Sequence, residues 1–202
     1  MARGTQRRAP GAFRQRPGSR AGGGPLKTAF VDVDTQLDFL FPAGALYVPG
    51  AERLLARIAG LNQWAAARGI PVISTMDAHA EQDPEFRVWP PHCVNGTLGQ
   101  RKPESTLVAG QIFVRKQALD CFSSPEMERA MEATGAHRYA VYGVVTEYCV
   151  KLAAAGLLAR GARVDLVTDA ILHLDENARR AAFEEIARLG GGFTTAAELC
   201  AP

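Results

Sequence analysis

The sequence predicts a three-layer α-β-α domain built on a mostly parallel, doubly wound sheet of roughly six strands. Three observations carry this. From residue 28 onward, short apolar runs alternate with stretches of helical periodicity. The apolar runs are strand-length and read as buried strands. Between them stand Gly, Pro, Ser and Asp at the positions where helices start and stop.

TAFVDVD (28–34) is the first strand, ending in carboxylates. A helix follows at about 50–68, with Leu54, Ile58, Leu61 and Ala65 at helical spacing and Gly69 as its stop. IPVISTM (70–76) is a second buried strand, and QIFVRK (111–116) a third after a long loop. SPEMERAMEATG (124–135) reads as a helix, because Ser124 can cap it, Pro125 suits its first position and Gly135 its end. HRYAVYGVV (137–145) is the fourth strand, followed by a helix from about 147 to 160 that Thr146 would cap and Gly161 would close. ARVDLVTDA (162–170) is the fifth strand, and DENARRAAFEEIARLG (175–190) a helix with an Asp cap. A short strand near Phe193 completes the sheet.

Of the 202 residues, 47% are hydrophobic and 22% charged, which suits one globular domain. Its four cysteines show no C-x-x-C spacing, so reduced thiols in a cytoplasm are expected. No apolar run approaches the roughly 18 residues a membrane span requires. The net charge of +2 is uneven: residues 1–26 hold six arginines and no acid, leaving a formal −4 on residues 27–202. That Gly-, Pro- and Arg-rich leader reads as disordered, with the folded domain over 27–202. A nucleic-acid-binding arm is conceivable on charge alone, but disorder without a nucleic-acid partner is the expectation.

In a parallel sheet of this kind, ligands sit beyond the carboxyl ends of the strands. Those ends carry Asp34, Asp77, Lys116 and the run Thr146-Glu147-Tyr148-Cys149. Cys149 would lie in the first turn of a helix, where unpaired N–H groups favour a thiolate. Lys116 would lower its pKa further and Asp34 could accept its proton. A small cysteine packed beneath the helix is the competing account. Asp32 is the competing acid, for which a helix-cap or loop contact is expected instead. The loop after Asp77 offers a second chemistry. Asp77, His79 and His92 combine carboxylate and imidazole, which suits zinc, iron or manganese, and Glu85 between them could ligate directly or through water. Against this, Asp77 could cap a turn and the histidines could be solvated. WPPHCVNGTLG (89–99) holds two prolines that exclude it from a helix or a central strand.

The segments VDTQLDF (33–39), MDAHAEQDPEFRVWPPHCVNGTLG (76–99), VRK (114–116) and YGVVTEYCV (142–150) resemble those of the isochorismatase-like cysteine hydrolases. D-x-H followed by WPPHC-V-x-GT-x-G is the nicotinamidase mark within that group, and the resemblance extends over residues 28–199. It implies Asp34, Lys116 and Cys149 as a catalytic triad and Asp77, His79 and His92 as ligands of a divalent metal, zinc above all. Glu85 falls where the fourth ligand varies. Phe39 and Trp89 match the aromatics that sandwich a pyridine ring, and Phe122 and Tyr148 are further candidates for the substrate pocket. A non-proline cis peptide would fall between Val145 and Thr146, turning the amides of Val145 and Cys149 into an oxyanion hole.

The implied reaction is hydrolysis of nicotinamide to nicotinic acid and ammonia through a thioester, in a homo-oligomer without membrane attachment. Besides isochorismate hydrolysis, a vinyl-ether cleavage that makes no use of a metal gripping a ring nitrogen, three rivals remain. One is a same-fold hydrolase of another amide, such as a ureido or carbamoyl compound; another is a non-catalytic metal- or ligand-binding relative. In the third, the Arg-rich arm carries the function and the domain is its scaffold.

Overall fold

Strand order reverses beside the first strand, and that reversal creates the place where a ligand can sit. A computed structural model of the chain describes residues 27–201; the leader expected over 1–26 lies outside the described residues. Among them, six strands form one sheet: β1 (Thr28–Val33), β2 (Val72–Asp77), β3 (Ile112–Lys116), β4 (Arg138–Val144), β5 (Arg163–Leu172) and β6 (Gly192–Thr194). Their spatial order is β3-β2-β1-β4-β5-β6, and every pairing is parallel. The chain runs outward from β1 to β3, then returns to lay β4 on the other side of β1. The connections after β1 and β4 therefore diverge and leave a crevice between them.

The helices are α1 (Leu37–Leu40), α2 (Leu55–Ala66), α3 (Pro125–Thr134), α4 (Lys151–Ala159), α5 (Glu176–Arg188) and α6 (Ala196–Leu199). The expected caps form. Ser124 accepts from the Glu126 N–H at 3.3 Å with Pro125 in the first turn, and Gly135 ends α3 at φ 56°. Asp175 caps α5 through the Ala178 N–H at 2.7 Å. β1 is buried from Ala29 to Val33, as a strand covered on both faces must be. Two short helices escaped the periodicity reading, α1 inside the TQLDF segment and α6 near the C-terminus. The second has a capping box, Thr195 with Glu198, whose T-x-x-E spacing was legible.

β4 and β1 meet at unusually close range. Gly143 adopts φ 122°, and a Cβ there would lie 2.1 Å from the Val33 carbonyl oxygen, so no other residue fits. Past this point β4 leaves the sheet through a cis peptide between Val144 and Val145. That corrects the expected Val145–Thr146 position by one residue. The Val145 carbonyl already accepts from the Tyr148 and Val150 N–H groups, so the 145–146 peptide belongs to the next turn in its ordinary trans form. That turn, Thr146–Val150, is π-like and precedes α4. Thr146 does not cap it, because its hydroxyl donates to the Leu172 carbonyl at 2.9 Å.

Candidate active site

Asp34, Lys116 and Cys149 meet at the carboxyl ends of β1 and β3 and just beyond β4. All three are buried. Asp34 leaves β1 with φ 50°, a left-handed conformation that turns its side chain into the crevice. Thr75 fixes it twice, by donating its hydroxyl to Asp34 Oδ1 at 2.7 Å and accepting the Asp34 N–H at 3.2 Å. Lys116 Nζ lies 2.9 Å from Asp34 Oδ2, 2.5 Å from Asp77 Oδ1 and 3.7 Å from Cys149 Sγ.

The electrostatics follow from burial and this crowding. Burial would depress the Lys116 ammonium, but Asp34, Cys149 and Asp77 hold it well above its ordinary range. Burial raises the Asp34 carboxyl, and Asp77 adds to this against the pull of Lys116. Burial also pushes the Cys149 thiol well above the usual cysteine range; Lys116 lowers it, while Asp34 and Asp77 raise it, as does a hydrogen bond to Asp34. The lowered thiol expected from the sequence is therefore not what the site holds. Desolvation and two carboxylates outweigh one lysine and a helix end. These influences favour the protonated thiol over the thiolate.

Asp77 links this cluster to a second one. Burial would raise its carboxyl, but Lys116, His79 and His92 hold it far below the usual range. Its Oδ2 lies 3.9 Å from His79 Nε2 and 3.7 Å from His92 Nε2. Each imidazole has an oxygen near its other nitrogen. His92 Nδ1 lies 2.7 Å from the Pro90 carbonyl, and His79 Nδ1 lies 3.1 Å from Asp83 Oδ2. Those oxygens can only accept, and a ring that donates to one from Nδ1 has an Nε2 lone pair to offer a cation. Both His79 nitrogens are buried without a well-aligned hydrogen-bond partner. A carboxylate oxygen and two imidazole nitrogens, with ligand atoms lying within 4.8 Å of one another, fit a divalent cation. Glu85 is half-buried beside them, and burial raises its carboxyl.

Asp83 escaped the sequence reading, although the D-P pair at 83–84 is a turn signal. It sits four residues after His79, capping the turn Pro84–Arg87 by accepting the Glu85 N–H at 2.9 Å. Gln36 was missed as well. Its side-chain amide donates to the Asp77 carbonyl and accepts the Asp77 N–H, both at 2.8 Å, which joins the ends of β1 and β2. Asp38 accepts the Cys93 N–H at 2.7 Å and pins the WPPHC elbow from below.

Both clusters open onto one pocket of about 540 Å³, mouth included, which Asp34, Asp77, Glu85, His92 and Cys149 line with Phe39, Trp89 and Tyr148. Trp89 meets Tyr148 edge-on, ring centroids 5.7 Å apart, and Phe39 lies against His92 at 5.5 Å. Phe122 is not in this pocket, contrary to expectation. Its ring rests over Gly156, where a Cβ would approach it to 2.3 Å, and the Arg160 guanidinium covers it at 3.7 Å. The missing side chain on α4 draws the ring away from the crevice.

An all-parallel α/β domain with a buried cysteine, lysine and aspartate at its switch point defines a hydrolase class. The chain belongs to the isochorismatase family: it matches the Isochorismatase domain over residues 28–198. Among its relatives is the nicotinamidase/pyrazinamidase of Mycobacterium tuberculosis, 26% identical over 175 residues, spanning 78% of this chain and 93% of the relative. Among solved structures, the pyrazinamidase of Pyrococcus horikoshii in complex with zinc is 28% identical with a TM-score of 0.79, covering 84% of this chain and 99% of that one. The N-carbamoylsarcosine amidase of Thermoplasma acidophilum is also similar, at 26% identity and a TM-score of 0.75, covering 85% of this chain and 97% of that one.

Proposed function

We propose that the chain is a cysteine amidohydrolase that converts nicotinamide to nicotinic acid and ammonia. The observation that carries this is the shared pocket. The nucleophile cluster and the Asp–His–His cluster face the same cavity, between Phe39 and Trp89, where a flat ring can reach both. Sγ of Cys149 attacks the carboxamide carbon while its proton passes to Asp34. The backbone N–H groups of Val145 and Cys149, both lining the pocket, are assigned to the oxyanion. Asp34 returns the proton to the amine nitrogen as the C–N bond breaks, so ammonia departs and the acyl group stays on Cys149 Sγ as a thioester. Asp34 then takes a proton from water as its oxygen attacks the thioester, releasing the acid and the thiol. Lys116 holds the Asp34 carboxylate in place and offsets negative charge developing on sulfur. A divalent cation held by Asp77, His79 and His92, with Glu85 adjacent, would supply an anchor for a ring nitrogen. Zinc is assigned here, and iron or manganese would suit the same donors.

The similarity to a carbamoylsarcosine amidase keeps a ureido substrate in view, but the pocket lining argues against one. Its ionisable residues are Asp34, Tyr47, Asp77, Glu85, His92, Tyr148 and Cys149, and among the described residues no lysine or arginine lines it to receive a substrate carboxylate. Ammonia release from nicotinamide, benzamide and N-carbamoylsarcosine, each with and without chelator, tests the reading. Nicotinamide should be fastest and lose most of its turnover on chelation. A faster reaction with N-carbamoylsarcosine, or chelator-insensitive nicotinamide turnover, would sink it.

A further inference from the structure

Glu147 lies two residues before the nucleophile, is buried, and has no part in the steps above. Its Oε1 accepts two backbone N–H groups, from Leu174 at 2.8 Å and from Asp175 at 3.0 Å. Asp175 is the cap of α5, so the carboxylate sits at the positive end of a thirteen-residue helix. The neighbouring Thr146 hydroxyl reaches the same segment by donating to the Leu172 carbonyl at 2.9 Å. Two consecutive residues of the nucleophile's turn thus stitch down residues 172–175. That segment matters because Leu174, half exposed, lines the same pocket as Cys149. Nothing else the structure shows for the Leu174 or Asp175 N–H competes with Glu147.

We propose that Glu147 is a positioning residue for substrate binding. It fixes Leu174 relative to Cys149, so that the amide-bearing ring is held at the distance the thiol needs. Leu174 is the part that touches substrate, and Glu147 acts through it. The substrate half of this inference rests on the amidohydrolase reading, while the backbone half does not. Charge-assisted bonds from one carboxylate oxygen to two amides are among the stronger kinds in proteins, so their loss frees the segment. Tyr148, between Glu147 and Cys149, also lines the pocket and packs on Trp89, so the turn bearing the nucleophile shapes two walls at once.

The test combines amide hydrogen exchange over residues 172–176 with nicotinamide kinetics on the full chain, for Glu147→Ala, Glu147→Gln and Leu174→Ala. Glu147→Ala should speed exchange in this segment by about tenfold or more and raise KM by about tenfold, with kcat within about threefold. Glu147→Gln keeps a carbonyl oxygen for the two amides and should restore both readings to within about threefold of the parent. Leu174→Ala should reproduce the KM rise while leaving exchange at the parental rate. Wild-type exchange in Glu147→Ala overturns the clamp, as does a loss confined to kcat. Should that variant fail to fold, Leu174→Ala with an unchanged KM overturns the proposal on its own. A parent that does not hydrolyse nicotinamide, yet shows the exchange response, would sink the amidohydrolase reading and leave the clamp standing.

Discussion

Asp32 and Asp34 are two residues apart on one strand, and both are buried. Their surroundings could hardly differ more. Asp32 accepts from Thr35 at 2.6 Å, Asn62 at 3.1 Å and Ser74 at 3.2 Å, and pairs with Lys102 at 3.3 Å. Lys102 in turn donates to Thr35 at 2.8 Å, and Asn62 donates to the Thr106 carbonyl at 2.7 Å. Every oxygen is used, and the network ties α2 and the 102–106 loop to the back of the sheet. Asp34 has one oxygen bonded to Thr75, while the other makes an ion-pair contact with Lys116 without a well-aligned hydrogen bond. A saturated carboxylate holds structure. An under-bonded one, crowded by a second acid and a thiol, is free to move a proton.

Substitutions can break that contrast. Cys149→Ala and Asp34→Asn should each lower kcat by about 10⁴-fold or more, with urea stability within about 1 kcal/mol of the parent. An Asp34→Asn variant with parental turnover would remove the proton-transfer role. Next in size, His92→Ala should lose bound metal and about 10²-fold of nicotinamide turnover, while Glu85→Ala loses less. Cys149 in His92→Ala should still react with iodoacetamide. Metal analysis beside an alkylation time course checks both statements.

The structural side of the contrast predicts the reverse pattern. Asp32→Ala strands the Lys102 ammonium among buried groups and should cost about 3–5 kcal/mol in urea unfolding. The folded fraction should keep its kcat. A variant that stayed stable but lost activity would show that the Asp32 network and the Asp34 site are not separate in role.

A smaller effect concerns pH. The Cys149 thiol is raised, so alkylation should rise with pH through a midpoint above the ordinary cysteine value of about 8.5. Lys116 lowers this thiol, so Lys116→Ala should move the midpoint upward. A profile that stays put would leave Lys116 without influence on sulfur. Smallest of all is Cys93→Ser. Cys93 is buried beside His92, and its thiol is pushed far up by burial, so nicotinamide turnover should stay within about twofold.

Much of this was legible in the chain. Asp34, Asp77, Lys116 and Cys149 could be placed together because strand ends in a parallel sheet converge, and the apolar runs locate those ends to within a residue or two. Strand alternation does not separate Asp32 from Asp34, because residues two apart share a face; the left-handed turn at Asp34, just past β1, sends its side chain elsewhere. What could not be read were contacts created by closure. Gln36 meets Asp77 across 41 positions, and Glu147 meets Leu174 across 27. Phe122 was misplaced because its direction depends on the absent side chain of Gly156, a three-dimensional vacancy that no spacing rule records. The thiol's pKa was misjudged for a related reason. Helix ends and lysines are visible in sequence, whereas the depth of burial that outweighs them is not.

The sheet's order has one further consequence. β3 is paired on one side only, with β2, and Lys116 is its last residue. The cation that organises two carboxylates and the Cys149 thiol thus rides on an edge strand. Peeling back one strand end would scatter the charges while the central strands, and Trp64 stacked on Phe30 at 5.9 Å, remained intact. Failure at that margin would then silence the site before the middle of the sheet gave way.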